Sequence, residues 1–143
     1  MLVQIQTSLV TETANSAISR RSSITGQGIH TDGADVAAIV CIERDGVEGA
    51  ENVFYADLQG KVALCDKTLL QPGTAAYFCD NRLYHYVSRA DKQEGREEPG
   101  RRTVMILHSP GEMYLSGVAN ERNELGAVSR EAVLATQRGG VGN

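Results

Sequence analysis

Short stretches of strand-like patterning, broken by closely spaced turn signals, leave this chain little choice of fold class. Residues 2–8 (LVQIQTS) alternate apolar and polar side chains, the period of a β-strand. Residues 35–42 (DVAAIVCI) form a nearly continuous apolar run with β-branched residues, which predicts a central strand. Residues 51–57 (ENVFYAD) and 61–66 (KVALCD) flank a short turn at Leu58–Gly60 and predict a hairpin. Gln71-Pro72-Gly73-Thr74 is a turn, because Pro presets φ and Gly accepts positive φ. Residues 74–80 (TAAYFCD) and 82–88 (RLYHYVS) follow as two strands around a bend. Residues 89–101 lack strong apolar side chains and predict a solvated loop, as do the Ser-, Thr- and Arg-bearing residues 9–27. Residues 102–108 (RTVMILH) predict a strand ended by Pro110-Gly111, and residues 113–118 (MYLSGV) a last one. Beyond Asn120 the pattern changes, and a short helix is predicted near residues 127–138, before Gly139-Gly140. Many short strands joined by turn signals predict a mainly β sandwich or barrel.

Size and charge narrow the setting. A chain of 143 residues fits one domain. With no Trp and only two Phe, its core must rest on aliphatic side chains and Tyr. The net charge of −4, with basic residues scattered apart from Arg20–Arg21 and Arg101–Arg102, argues against a nucleic-acid surface. No apolar run approaches the ~18 residues of a membrane span. The N-terminal residues 1–16 lack the charged and long apolar regions of a secretory signal. Cys41, Cys65 and Cys79 have neither paired nor zinc-type spacing. They read as reduced thiols, small core residues of a cytoplasmic protein.

The segment that carries chemistry is Gly28-Ile29-His30-Thr31-Asp32-Gly33. In an extended backbone His30 and Asp32 leave the same face, so an imidazole nitrogen and a carboxylate oxygen can share one metal ion. Gly33 lets the chain turn away directly afterwards. His85 lies in the strand-like LYHYV, and two His with one carboxylate form the facial triad of non-haem Fe(II) sites. Arg101-Arg102-Thr103 opens an apolar strand further on, where a cationic fork suits a bidentate carboxylate. Blander readings stand beside these. An H-x-D tripeptide arises by chance, His85 between two Tyr is also a packed strand histidine, and an Arg pair also solubilises a strand end. Asp80 and Arg82 equally form a local ion pair beside His85, and His108 reads as structural rather than as a ligand.

Taken together, QGIHTDG (27–33), ERDGVEGAENVFYAD (43–57), QPGTAAYFCDNRLYHYV (71–87) and RRTVMILH (101–108) resemble the 2-oxoglutarate/Fe(II) dioxygenases. Within them the likeness is to the bacterial group that hydroxylates free L-amino acids, typified by L-isoleucine dioxygenase. The resemblance covers roughly residues 2–110. It implies a double-stranded β-helix, a jelly-roll or cupin-like sandwich, with a short or incomplete N-terminal part. The core would span residues 1–118, and residues 119–143 would be a tail, partly helical or disordered. His30, Asp32 and His85 would hold Fe(II). Arg102, or Arg101 if the register slips by one, would bind the distal carboxylate of 2-oxoglutarate, and Thr103 would add a hydroxyl. Glu51 and Asn52 would line the pocket, or simply hold their turn together. The usual double Gly of the VEGGEN turn is Gly49-Ala50 here.

The reaction so implied consumes O2 and 2-oxoglutarate, hydroxylates a small substrate such as a free amino acid, and releases succinate and CO2. An aspartate at position 32 disfavours halogenation, which would need an aliphatic residue there. Two other readings remain at this stage. One is a non-catalytic β-sandwich remnant or binding module of the same fold. The other is a cupin-type metal enzyme, which the absence of any H-x-H pattern disfavours. Strand edges and a short N-terminal part would leave apolar surface for a homo-oligomer to cover.

Overall fold

The computed structural model describes residues 1–14 and 27–111. Eight strands follow in chain order: β1 (Leu2–Val10), β2 (Val36–Asp45), β3 (Val47–Gly49), β4 (Asn52–Tyr55), β5 (Ala75–Phe78), β6 (Tyr84–Val87), β7 (Ala90–Lys92) and β8 (Gly100–Ser109). A 3-10 turn at Asp80–Arg82 joins β5 to β6. The larger sheet has the order β1-β8-β2-β5 and is antiparallel throughout. The pairs β3-β7 and β4-β6 make up the rest, with single bridges that extend the β4-β6 layer through His30 on one side and Ala63 and Thr68 on the other.

Alternation explains how the two layers close on one another. Ala37, Ile39 and Cys41 of β2 and Val104 of β8 are buried with Phe54 of β4, Leu70 and Phe78 in one cluster. Phe54 and Phe78 meet at a ring-centroid distance of 4.9 Å across the layers. This is the jelly-roll sandwich expected from the sequence. In β1 the alternation is inverted. Val3, Ile5 and Leu9 are exposed, and the polar residues Gln4 and Gln6 face the cavity between the layers.

Several local expectations are corrected. Residues 61–66 meet 51–57 through two backbone hydrogen bonds, Leu64 to the Phe54 carbonyl and Ala56 to the Val62 carbonyl, both at 2.9 Å, but form no full strand; the ladder of β4 is with β6. The turn itself forms, held by Asp57 Oδ2 accepting from the Val62 amide at 2.8 Å and by one bridge at Ala63. The ladder stops there because Val62 and Leu64 are exposed and the segment has no face to bury. Residues 89–101 are not wholly a loop: β7 adds to β3, and β8 starts at Gly100. Of the cysteines only Cys41 is a core residue; Cys65 and Cys79 are exposed. The predicted strand at 113–118, the helix at 127–138, and most of the loop at 9–27 lie outside the described residues. Among the described residues, no helix is long and apolar enough to cross a membrane.

The turn after β3 explains the glycine that this chain lacks. Ala50 is buried and held at φ 54°, with its amide donating to the Arg89 carbonyl at 2.8 Å. Left-handed backbone strains any residue with a Cβ. Ala50→Gly should raise stability by about 0.5 kcal/mol, strain relief outweighing the added freedom of the unfolded chain. Gly49→Ala should lower it by about 2 kcal/mol or more. At position 49, φ is 70° and an added Cβ would collide with the Arg89 carbonyl oxygen. Urea unfolding of the two variants checks both signs.

Candidate metal centre

His30 and His85 are brought together by backbone pairing. The His30 amide donates to the His85 carbonyl at 3.0 Å, and the His85 amide to the His30 carbonyl at 2.8 Å. The rings meet edge-on with centroids 4.3 Å apart. Two residues beyond His30, Asp32 leaves the same face, as the spacing predicts. Its Oδ1 lies 3.5 Å from His30 Nε2 and its Oδ2 lies 3.4 Å from His85 Nε2. One donor atom from each of the three side chains falls within 4.8 Å of the others, and the two His are buried.

These donors suit a divalent cation chemically. The Gly28 carbonyl oxygen sits 3.0 Å from His30 Nδ1, so that nitrogen carries the proton and Nε2 keeps its lone pair. On His85 the Nδ1 faces Asp80 Oδ1 at 3.5 Å, which again turns Nε2 inward. Two imidazoles and one carboxylate are the donor set of non-haem Fe(II) centres. Burial works to raise the Asp32 carboxyl, but hydrogen bonds from His108 and His30 and the nearby imidazoles outweigh it and hold it well below the usual range. Burial likewise works to lower His30, and is overcome by Asp32, the Gly28 carbonyl and the charge of Asp80, so His30 is raised.

Two residues support the donors from behind. Asp80 is wholly buried at the 3-10 turn. Its Oδ2 accepts from the Thr31 hydroxyl and the Ala34 amide, both at 3.0 Å, and its Oδ1 from the Asp32 amide at 3.2 Å. Arg82 is exposed and makes no ion pair with it, so the local Asp80–Arg82 pair is replaced by a link between the two metal-bearing segments. His108, at the end of β8, donates through Nε2 to Asp32 Oδ2 at 2.9 Å. It is structural, as expected, but its partner is a candidate ligand. Nothing local in the sequence marks either contact, since both partners lie far along the chain.

The remaining expected residues divide by face. Arg102 is buried on the inner face of β8, in line with Val104, Ile106 and His108. Arg101 and Thr103 point the other way: Arg101 lies 3.9 Å from Glu43, and the Thr103 hydroxyl donates to Glu43 Oε2 at 3.2 Å. The structure does not bring them to the site. Glu51 is half-buried, with its carboxylate 3.9 Å from Lys67. Asn52 is buried in β4 and donates to the Thr68 carbonyl at 3.4 Å. Neither lines the cavity over the metal donors. That cavity is walled by the amides Gln4, Gln6 and Gln27 and by the apolar Ile39, Val87 and Ile106.

The profile of the 2OG-Fe dioxygenase family matches residues 11–108, which include all three donors. The chain belongs to the 2OG-Fe dioxygenase family. Membership implies Fe(II) and 2-oxoglutarate as cofactors, and the His30-Asp32-His85 cluster offers the iron donors. Among solved structures, the chain is similar to a bsmA homolog from Methylobium petroleophilum PM1. Identity is 29%, the TM-score is 0.50, and the match covers 62% of this chain and 34% of that one. It also shares its fold with IDO from Bacillus thuringiensis, at 13% identity and a TM-score of 0.58, over 74% of this chain and 46% of that one. This 2OG-Fe dioxygenase chain thus spans less than half the length of either structure. Among curated proteins, none matches the sequence.

Proton competition follows from the shifted His30. Its proton must leave before a metal binds, and it is held to a pH above the ordinary 6.5. Apparent affinity for Mn(II) should therefore fall with acidification below that raised value, by roughly tenfold per pH unit. Titrations from about pH 5 to about pH 8 check the slope. Asp80→Asn leaves one acceptor where two oxygens serve four donors, and should weaken Mn(II) binding about 10- to 100-fold. Calorimetry on the folded variant measures it.

Proposed function

We propose that this chain carries the iron centre of a 2-oxoglutarate-dependent oxygenase that hydroxylates a small substrate, a free L-amino acid, with release of succinate and CO2. The observation that carries the reading is the content of one inner face. Metal donors converge near His108 at one end of β8, and Arg102 lies buried at the other, with Val104 and Ile106 between. Burial works to lower the Arg102 guanidinium, and among the described residues no carboxylate is in ion-pair contact with it. A guanidinium cannot shed its proton, so a buried one without an acid calls for an anionic ligand. An anionic cosubstrate such as a dicarboxylate would answer the buried cation at one end of this face, and a divalent cation the donors at the other.

His30, Asp32 and His85 would hold Fe(II), which with 2-oxoglutarate and O2 supplies the oxidising power for hydroxylation. The protein's share is positional. Asp80 and the Gly28 carbonyl orient the imidazoles, and His108 fixes the carboxylate. Arg102 selects the cosubstrate's far end, and Ile39, Val87 and Ile106 keep water from the centre. The amides of Gln4, Gln6 and Gln27 offer hydrogen bonds without net charge, which suits a zwitterion and, with the sequence resemblance, supports the amino-acid reading. The free thiols of Cys41, Cys65 and Cys79 support a cytoplasmic setting.

Incubated with Fe(II), 2-oxoglutarate, O2 and each of the free amino acids in turn, the protein should release succinate above the uncoupled background with at least one of them. Asp32→Ala should abolish that release and the visible charge-transfer band of the anaerobic Fe(II)–2-oxoglutarate complex. Succinate unchanged in the variant, or no band in the parent, would leave a non-catalytic remnant of the fold as the better reading.

A further inference from the structure

Strand β2 has one irregularity, and it falls beside Arg102. Its partners on β8 run Ala37↔His108, Ile39↔Ile106 and Cys41↔Val104, skip Ile42, and resume as Glu43↔Thr103 and Arg44↔Arg102. Ala37, Ile39 and Cys41 face the core. Strict alternation would then turn Glu43 inward and Arg44 outward. The bulge reverses this. Glu43 reaches the outer face, against the Thr103 hydroxyl. Arg44 comes to the inner face, opposite Arg102. Bulges near functional sites re-aim a side chain in this way.

The guanidinium of Arg44 is held but not used up. Nη2 donates to the carbonyls of Val47 and Gly49, at 2.9 and 2.6 Å. Nη1 is buried and has no hydrogen-bond partner. The acidic influences on Arg44 are the Cys41 thiol and then Glu51, whose carboxylate lies 3.9 Å from Lys67. Arg102 feels the charge of Arg44 as a repulsion. Two guanidiniums stand in register, one of them deeply buried, with no carboxylate in contact with either among the described residues, an arrangement that an anion between them would satisfy.

We propose that Arg44 is a second cation of the cosubstrate site, donating through Nη1 to the distal carboxylate that Arg102 grips. This rests on the reading of Arg102 as the carboxylate-binding residue. The pair makes the site selective for 2-oxo acids that carry a second carboxylate.

The test measures binding rather than turnover. Dissociation constants for 2-oxoglutarate and for 2-oxobutyrate, which lacks the distal carboxylate, are read from the visible band of the anaerobic Fe(II) protein. Arg44→Met should weaken 2-oxoglutarate about 10- to 100-fold, the range of a charge-assisted hydrogen bond, and leave 2-oxobutyrate within about twofold. Arg44→Lys keeps the charge and should restore most of the lost selectivity, which also serves if the Met variant fails to fold. Equal weakening of both oxo acids in the Met and Lys variants would show that Arg44 only braces the Val47–Gly49 turn, and would overturn the proposal. So would unchanged 2-oxoglutarate binding in Arg44→Met. In either case loss of selectivity in Arg102→Met would leave the reading of Arg102 standing. If the parent protein binds both oxo acids equally well, that reading falls and the proposal with it.

Discussion

A buried carboxylate must be hydrogen-bonded on most of its lone pairs, or ionisation in the interior costs several kcal/mol. Asp80 meets that demand by drawing on two segments distant in sequence. Its oxygens take the Thr31 hydroxyl and the amides of Asp32 and Ala34, and face the Nδ1 of His85. The Thr31 hydroxyl also donates to the Asp80 carbonyl at 2.9 Å. Each donor would be stranded if the turn at residues 31–34 moved away from the 3-10 turn at Asp80–Arg82. The geometry of the metal donors is therefore a by-product of satisfying one acid. His30 and Asp32 are placed by the turn that Asp80 caps, and His85 by the strand that follows it.

How much of this was legible depended on range. Strand positions follow from two-residue periodicity, and β1, β2, β4, β5, β6 and β8 appear near the predicted segments. The H-x-D spacing is a short-range fact about an extended backbone, so the shared face of His30 and Asp32 was readable. What periodicity cannot supply is which face looks inward. In β1 the polar face does, because it lines the cavity over the metal donors rather than the apolar core, and a rule that puts apolar residues inside would assign it backwards. The choice between Arg101 and Arg102 was undecidable for the same reason, since one residue of register exchanges the faces. Ile42 gave no signal of a bulge: nothing in VAAIVCIERD distinguishes a continuous ladder from one that skips a residue. Asp80 and His108 escaped because their partners, Thr31, Ala34 and Asp32, are chosen by tertiary structure.

The interior carries two kinds of order along one pair of strands. Across β2 and β8, successive inner positions read His108 with Ala37, Ile106 with Ile39, Val104 with Cys41, and Arg102 with Arg44. Polar groups sit at both ends and apolar ones between. A core built only for stability would place its charges outside, where hydration is free. Burying guanidiniums at one end and a carboxylate with imidazoles at the other leaves electrostatic demands that the described residues do not fully meet. An anion at the arginine end and a divalent cation at the histidine end would meet both with opposite charges, as the proposed cosubstrate and iron do.

That arrangement also bears on stability. The chain has two Phe and no Trp, and both Phe stand beside the metal donors. Phe78 packs on His85 with ring centroids 5.2 Å apart, and on Phe54 at 4.9 Å. The largest apolar side chains thus wall the ring that would bind iron, so core and site share atoms. A ligand that binds the folded form and not the unfolded chain stabilises the fold by mass action. Here that gain would act on the core itself, on the contact between β4, β5 and β6. Through the Phe78–His85 contact, metal binding and packing of the Phe54–Phe78 pair would stabilise one another.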